Sequence, residues 1–499
     1  MIAFRSGLIG AKSEAVSRMK VRSKVPMIGS VAKIRRLSVW HVLALALFLR
    51  TLLPTVGYFY ARDVSIFIAP DTASYVKPAR ELIGCHRFFS DGAPEIIRTP
   101  GYPVLLTVGL LLGRLELVTI GLQIALSCFT VYMVYRTSRL LFESEQIGLV
   151  AAALYAIEPL SILYTSGLVT ETLFATLVMV WVYFFIRYLR QQLPVYLVVS
   201  GVVLAASVYV RPIGYFMPMV IAAVLAVRVL VTLRENRRRL MAHIGAFVVT
   251  SLGLIGPWQL RNKVETGYAG FSAISSENMY FYLAASVLAA QRHVPFYEMQ
   301  DRLGYQDERI YLQQHPEQRN WPPGRRFDYM SREGKRVLLS SPLTYARIHF
   351  EGILRAIFDP GSTEFLKFFH LYPRQGGLLG VLVDKGIVKT IRTLLLTRPI
   401  VFWSNAVLLP LQLMYLSCAC IVLFSKRLMW DPSNLAALLI VSYYLAISGG
   451  PAALGRFRHP AMPIICVLAA YGLCLVLSRL RRTGSRPSCA TPSQVTLLI

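Results

Sequence analysis

Two carboxylates stand where long apolar stretches of the sequence begin or end. Asp71 follows Pro70 just after the first such stretch, and Glu171 stands in Val169-Thr170-Glu171-Thr172 at the start of another. A carboxylate there can cap a helix or complement its dipole, and a partly desolvated carboxylate can act as a general base. For Asp71 both interpretations hold together, because a capping aspartate is also rigidly held.

Arginines recur at the ends of apolar stretches that are not adjacent in the chain. They are Arg98, Arg211, Arg261, Arg456 and Arg458. One arginine at such an end commonly extends towards water, which explains each of them taken singly. Several on one face are better explained by convergence on an anion such as a phosphate group. His459 has no second histidine or acid at ligand spacing, which favours a hydrogen-bonding role over metal binding.

The composition excludes an ordinary soluble enzyme. Of 499 residues, 55% are hydrophobic and 16% are charged, whereas soluble chains carry about 25% charged residues. The formal net charge of +27 fits either a nucleic-acid surface or the basic loops of a multi-pass membrane protein. The sequence has no P-loop and no dinucleotide-binding fingerprint, so ATP- or NAD-driven chemistry is not indicated.

Ten mostly apolar stretches are long enough to cross a hydrocarbon core of about 30 Å. We place these spans near residues 38–60, 117–135, 147–165, 172–189, 195–211, 214–233, 242–260, 399–424, 434–454 and 460–480. The apolar piece from Gly101 to Gly113 is too short to span and predicts a re-entrant or juxtamembrane helix. The predicted fold class is therefore all-α, a multi-pass transmembrane helical bundle.

The positions of the basic residues orient this bundle. On one side of it, the tails and short loops carry 24 Lys and Arg against five acids, which marks that side as cytoplasmic. Most of the net charge is therefore a topological signal, and no nucleic-acid partner is expected. The sequence predicts a basic cytoplasmic tail (1–37), followed by a transmembrane module (38–262) that includes a first extracytoplasmic loop (61–116). A large extracytoplasmic loop follows (263–398), with amphipathic helices near 341–358 and 377–396. C-terminal transmembrane helices (399–480) and a disordered cytoplasmic tail (481–499) complete the predicted organisation.

In this order, these residues resemble the GT-C class of integral membrane glycosyltransferases. The resemblance is closest to the bacterial branch related to dolichyl-phosphate-mannose protein mannosyltransferases and the lipid A aminoarabinose transferase. It rests on Asp71 with Tyr75, Arg-Thr-Pro-Gly-Tyr-Pro at 98–103, Thr170-Glu171, Arg211-Pro212, Pro257-Trp258 with Arg261-Asn262, and Arg456-Phe457-Arg458.

The resemblance implies a transferase that moves a sugar from a polyprenyl-phosphate-linked donor to a lipid, glycan or protein acceptor. The active site would face the extracytoplasmic side of the cell (inner) membrane. Asp71 would lie at the catalytic centre. Many relatives carry Asp-Glu where this chain has Asp71-Thr72, so it stays open whether Asp71 acts alone or with Glu171.

The resemblance also implies roles for the remaining residues. The five arginines would bind the donor phosphate, and substrate contacts would come from Tyr75, Tyr102, Asn262 and His459. No cofactor is certain, and a requirement for a divalent metal ion stays open.

Two alternatives stay open as well. A transporter or flippase of polyprenyl-linked sugars could use the same arginines without a base, and a glycan polymerase or ligase could have another membrane fold. Few ionisable residues, chiefly Arg50 and Glu158, lie inside the predicted spans, whereas ion-coupled transporters usually need more. The sugar and the acceptor are not indicated.

Overall fold

The computed structural model describes residues 38–231, 234–371, 395–425 and 431–484. The chain divides into two units, residues 37–473 and residues 1–36 with 474–499. In the second unit, residues 474–484 are described, as the end of the last helix. The predicted cytoplasmic tail 1–37, most of the predicted amphipathic helix near 377–396, and residues 485–499 lie outside the described residues.

Helices form the framework of the predicted transmembrane module. In chain order they are α1 (Val39–Ala61), α2 (Thr72–Cys85), α3 (Gly101–Leu111), α4 (Leu115–Phe142), α5 (Glu145–Ala156), α6 (Pro159–Leu163), α7 (Glu171–Gln191), α8 (Pro194–Val210), α9 (Met217–Val231) and α10 (Arg234–Thr266). Between α2 and α3, the short strands β1 (Phe89–Ser90) and β2 (Ala93–Pro94) pair antiparallel.

Shorter helices follow before the chain returns to long apolar ones. They are α11 (Ile274–Glu277), which continues as a π-helical segment (Asn278–Ala284), α12 (Ala285–Arg292), α13 (Phe296–Arg302), α14 (Glu308–Gln314), α15 (Pro323–Ser340), α16 (Pro342–Phe358) and α17 (Ser362–Phe368). The last described helices are α18 (Pro399–Cys420), α19 (Pro432–Ile447), α20 (Gly455–Arg458) and α21 (Met462–Gly484).

The helix lengths support the predicted membrane bundle. Among the described residues, seven helices are long and apolar enough to cross a membrane. The other three predicted spans, near 147–165, 195–211 and 434–454, correspond to the shorter apolar helices α5 with α6, α8 and α19. The predicted short helix is α3, with 11 residues. The all-α, multi-pass fold class is confirmed.

Helix α7 lies at the centre of the packing in the first half of the chain. It packs against α4 and α8, and α8 in turn packs against α10. The side chains of Phe174, Trp181 and Phe185 on α7 are almost completely buried, whereas α1 exposes many large apolar side chains. Buried residues occur at most positions of α7, so it is an interior helix of the bundle.

Arg50 and Glu158 stabilise a break between α5 and α6. The buried Arg50 guanidinium donates to the carbonyl oxygens of Tyr155 and Ala156, at 3.2 and 2.8 Å, where α5 ends. Glu158 accepts from the backbone N–H groups of Leu160 and Ser161, where α6 begins. A broken helix leaves backbone N–H and C=O groups unpaired, and such groups are costly in an apolar setting. The two charged side chains supply the missing hydrogen bonds.

Helices α11 to α15 have a small aromatic core of their own. Tyr280 and Phe281 of the π-helical segment pack with Tyr311 and Met330. Helix α15 approaches this segment closely at Gly334, where an added Cβ would lie 2.8 Å from the Met279 carbonyl oxygen. The segment is therefore fixed between apolar side chains and the backbone of a neighbouring helix.

Gly101 sets the distance between α3 and the end of α8. A Cβ at this position would lie 2.7 Å from the Tyr209 carbonyl oxygen, so Gly101→Ala must displace backbone. We expect a loss of about 1–3 kcal/mol of folding free energy, measured as a lower midpoint of thermal unfolding in detergent. Gly121→Ala in α4 is the matched control, because a Cβ there meets nothing within 4 Å. Equal midpoints for both variants would contradict the close approach.

Candidate active site

Five charged side chains from separate parts of the sequence join in one connected set of ion pairs, which we call the ion-pair cluster. Its members are Asp71, Arg98, Glu171, Arg211 and Arg456. Asp71 Oδ1 lies 3.4 Å from Arg98 Nη2, and Asp71 Oδ2 lies 3.2 Å from Arg456 Nη1. Glu171 Oε1 accepts from Arg456 Nε and, at 2.8 Å, from Arg211 Nη1. The structure thus brings together both predicted acids and three of the five predicted arginines.

The two carboxylates of the cluster differ in exposure. The side chain of Asp71 is 37% exposed, whereas that of Glu171 is completely buried at the first residue of α7. A buried carboxylate needs compensating charge nearby, and Arg211 and Arg456 supply it. Glu171 therefore holds the two arginines in place, while Asp71 is the acid that an entering molecule can reach.

The backbone before α2 directs the Asp71 carboxylate towards the arginines. Asp71 precedes α2, but its side chain makes no capping hydrogen bond to the helix. The neighbouring Thr72 hydroxyl donates to the Leu168 carbonyl oxygen at 3.0 Å, which ties the start of α2 to the segment before α7. Both Asp71 oxygens thus contact guanidinium groups instead of helix N–H groups.

Arg456 lies on the four-residue helix α20, which two side chains hold in position. Asp359 Oδ2 accepts from the backbone N–H of Gly455 at 2.7 Å. Arg458 is fully buried. Its Nη1 donates, at 2.7 to 2.9 Å, to the carbonyl oxygens of Ala356, Ile357 and Asp359. The guanidinium of Arg458 thus attaches α20 to the end of α16 and does not join the ion-pair cluster.

The side chains of Glu95 and Arg261 hold the backbone of the loop that carries Arg98. Glu95 Oε1 accepts from the backbone N–H groups of Ile97 and Arg98 at 2.6 and 2.8 Å. Burial raises the pKa of the Glu95 carboxyl, although these N–H groups act in the opposite direction. Arg261 donates to the carbonyl oxygens of Glu95 and Phe88, both at 2.7 Å. Arg261 therefore positions the loop that carries Arg98 and makes no ion pair in the cluster.

Tyr75 and Tyr102 occupy different places relative to the cluster. Arg98 Nη1 donates to the Tyr75 hydroxyl at 3.1 Å, and the guanidinium carbon lies 4.7 Å from the centre of the Tyr75 ring. Burial raises the pKa of Tyr75. Tyr102 is fully buried next to the Tyr75 ring, and its hydroxyl donates to Gln123 at 2.9 Å. Tyr102 thus supports the Tyr75 ring and has no exposed surface for a substrate.

Asn262 and His459, both expected to contact substrate, are also buried. The Asn262 amide donates to the carbonyl oxygens of Gly270 and Phe271 at 3.1 and 3.0 Å, which fixes the turn after α10. The His459 ring packs edge-on against Tyr164, at 4.9 Å between ring centres. In the structure these side chains support the surrounding helices, and neither reaches an exposed surface.

The charges of the cluster do not suit a metal ion but do suit an anion. Three guanidinium groups and two carboxylates leave one net positive charge, and each carboxylate is already paired. Within the described ranges, no group of three His, Cys, Asp or Glu side chains could hold a metal ion. A phosphate group can instead share the N–H donors that arginines present in forks.

Sequence reasoning missed several residues of the site. Glu95 and Asp359 act through backbone contacts, and only the polar setting of Pro94-Glu95 and of Asp359-Pro360-Gly361 hints at turns. Glu277 and Tyr282 were missed as well. The positive charge of Arg98 acts on the Glu277 carboxyl, and the negative charge of Asp71 acts on the Tyr282 hydroxyl. The polar run Ser275-Ser276-Glu277 has no periodicity that would identify it.

Glu171→Gln should destabilise the protein strongly, because it leaves Arg211 and Arg456 without their buried partner. We expect a loss of about 3 kcal/mol, measured by thermal unfolding in detergent. Glu298→Gln is the matched control, since Glu298 forms a half-exposed ion pair with Arg302 that contributes about 0.5 kcal/mol. A midpoint for Glu171→Gln as high as that of the control would contradict the role of Glu171.

Comparison with known proteins gives one family match. Residues 98–258 match the family described as dolichyl-phosphate-mannose-protein mannosyltransferase. The matched segment contains three members of the ion-pair cluster, Arg98, Glu171 and Arg211. A comparison with curated protein sequences gives no match.

A solved structure of one archaeal protein shares the fold. The oligosaccharyltransferase of Archaeoglobus fulgidus in the apo form has a TM-score of 0.50 and 15% identity, over 92% of this chain and 53% of that one. A structure of this protein with an inhibitory peptide and a dolichol-phosphate has a TM-score of 0.47 and 13% identity, over 92% and 53%. This chain therefore spans about half the length of these structures. The resemblance to GT-C class membrane glycosyltransferases is thus confirmed, by the mannosyltransferase family match over residues 98–258 and by the shared helical fold.

Proposed function

We propose that the protein transfers a sugar from a polyprenyl-phosphate-linked donor to an acceptor hydroxyl. The observation that carries this proposal is the ion-pair cluster, which gathers three arginines and one accessible carboxylate at the ends of apolar helices. The family that matches residues 98–258 is named for a dolichyl-phosphate-linked sugar, which is a donor of this class. The acceptor is a lipid, a glycan or a protein.

The three arginines bind the phosphate of the donor. Arg98, Arg211 and Arg456 are 17% to 23% exposed, so each can keep its carboxylate partner and still offer N–H groups to an anion. Preorganised positive charge stabilises a leaving phosphate as its negative charge grows in the transition state. The nearby apolar helices suit a donor whose polyprenyl chain stays in the membrane.

Asp71 is the base of the transfer. As the acceptor oxygen bonds to the anomeric carbon, its proton passes to the Asp71 carboxylate, and the bond from that carbon to the phosphate oxygen breaks. The electron pair of that bond leaves with the polyprenyl phosphate, whose charge the arginines stabilise. One displacement inverts the anomeric configuration. Glu171, which is buried and doubly paired, orients the arginines and takes no proton.

The protein acts at the cell (inner) membrane with the ion-pair cluster on its extracytoplasmic side. The predicted topology assigns the basic tails and short loops to the opposite ends of the spans, which supports this orientation by the positive-inside rule. The reaction then uses a donor presented in the outer leaflet, where nucleotide sugars are absent.

Asp71→Asn should abolish transfer, because an amide cannot take the acceptor proton. We expect a decrease of about 10²–10⁴-fold in the rate of sugar transfer, measured in detergent with the radiolabelled polyprenyl-phosphate sugar that the wild type transfers fastest and a membrane extract as the acceptor source. Asp91→Asn is the matched control in the same loop, where Asp91 forms an exposed ion pair with Lys77. An active Asp71→Asn protein would refute the assignment. Transport in vesicles without transfer in detergent would favour the flippase instead.

Arg98→Gln should weaken binding of the donor phosphate by about tenfold or more, because a charged hydrogen bond is lost. Binding of polyprenyl phosphate to the detergent-solubilised protein measures this effect. Arg87→Gln is the control, since Arg87 lies in the same loop and contacts the Phe89 ring. Equal affinities of the two variants would argue against the phosphate site.

A further inference from the structure

Glu277 is an acidic side chain that the proposed mechanism leaves without a role. It ends α11, immediately before the π-helical segment. Its carboxyl forms no hydrogen bond or ion pair with any described residue, although it is only partly exposed. Burial raises its pKa to about 7, while the positive charge of Arg98 acts in the opposite direction. A partly buried acid without a partner, close to the ion-pair cluster, is a candidate for contact with a ligand.

Backbone contacts fix Glu277 next to the loop of Arg98. The Ala273 N–H donates to the Ile96 carbonyl oxygen at 2.8 Å, and the Ser272 hydroxyl donates to the Ile97 carbonyl oxygen at 2.6 Å. These hydrogen bonds join the start of α11 to the residues just before Arg98. The helix that carries Glu277 is therefore fixed to the loop that carries Arg98, the arginine that we assign to the donor phosphate.

Two tyrosines extend this region towards Asp71. Tyr282 lies in the π-helical segment, and its hydroxyl hydrogen-bonds that of Tyr305 at 2.5 Å. The pKa of Tyr282 is raised by burial and by this hydrogen bond, and further by the negative charges of Asp71 and Glu277. The charges of both carboxylates thus act on the Tyr282 hydroxyl. π-Helical turns are rare and are frequent at functional sites.

We propose that Glu277, Tyr282 and Tyr305 bind the hydroxyl groups of the donor's sugar. The inference rests on the proposed function and deepens it. A sugar attached to a phosphate at Arg98 must lie within about one ring length of that arginine, and Glu277 is an unpaired carboxylate on the helix that is tied to the Arg98 loop. Carboxylates accept hydrogen bonds from hydroxyl groups, and tyrosines combine a ring face with a hydroxyl that can donate or accept.

The test compares two probes in detergent, polyprenyl phosphate and a set of polyprenyl-phosphate sugars carrying mannose, glucose, galactose or arabinose. Glu277→Gln should weaken binding of the sugar-bearing donor that binds best by about tenfold and leave polyprenyl phosphate unchanged. Glu333→Gln is the matched control, because Glu333 lies on α15 beside the same π-helical segment and pairs with Arg336. It should change neither affinity.

A pH series separates a sugar contact from a structural role. The phosphodiester of the donor does not titrate near neutral pH, so donor affinity should rise as Glu277 ionises through about pH 7. The charged groups that act on Glu277 are Arg98 and Glu95. If Glu95 caused the pH dependence of donor affinity, the pH dependence would persist in the Glu277→Gln variant. We expect the Glu277→Gln variant to lose the pH dependence.

Several outcomes would overturn the proposal. Equal effects of Glu277→Gln on both probes, or no effect on either, would exclude a sugar contact. If Glu277→Gln does not fold, Tyr282→Phe decides in the same way, since it removes one hydroxyl and keeps the ring. If the wild-type protein does not bind polyprenyl phosphate, the proposed function itself is refuted. Suppose that Arg98→Gln weakens binding of polyprenyl phosphate as expected, but Glu277→Gln changes the affinity for none of the sugar donors. That result would refute only the sugar contact.

Discussion

The buried charge of Glu171 is the constraint on which the site depends. A carboxylate without solvent at the start of α7 is tolerated only with cationic partners, and these come from residues after α8 and before α21. Arg456 and Glu171 are 285 positions apart in sequence. The two halves of the bundle must therefore meet at this end, and Asp71 and Arg98 attach to the arrangement through Arg456.

The partners of the arginines divide them into two groups with different uses. Arg50, Arg261 and Arg458 donate to backbone carbonyl oxygens at helix ends and loops, so their guanidinium groups replace missing backbone hydrogen bonds. Arg98, Arg211 and Arg456 pair with carboxylates and keep part of their surface open. The second group can exchange or share partners with an anion, whereas the first cannot do so without releasing backbone groups.

The sequence predicts the fold and much of the cluster because each leaves a local signal. Span length follows from the thickness of the hydrocarbon core, and charged residues at span ends identified Asp71, Glu171 and three of the arginines. What a side chain contacts is not local. Tyr102 meets Gln123, and Asn262 meets carbonyl oxygens after a turn, so neither could be told from an exposed residue at a span end. Glu277 lies in a polar run without periodicity and left no signal.

The carboxylates of the cluster also have a consequence for turnover. Each guanidinium loses about 2 kcal/mol of rotamer entropy when it is ordered. Because Asp71 and Glu171 hold Arg98, Arg211 and Arg456 in the ligand-free protein, that loss belongs to folding and not to substrate capture. In the proposed reaction, the same carboxylates would compete with a departing polyprenyl phosphate for the arginines. A permanent internal competitor of this kind lowers product affinity, and it would let an enzyme bind a charged lipid selectively and still release it.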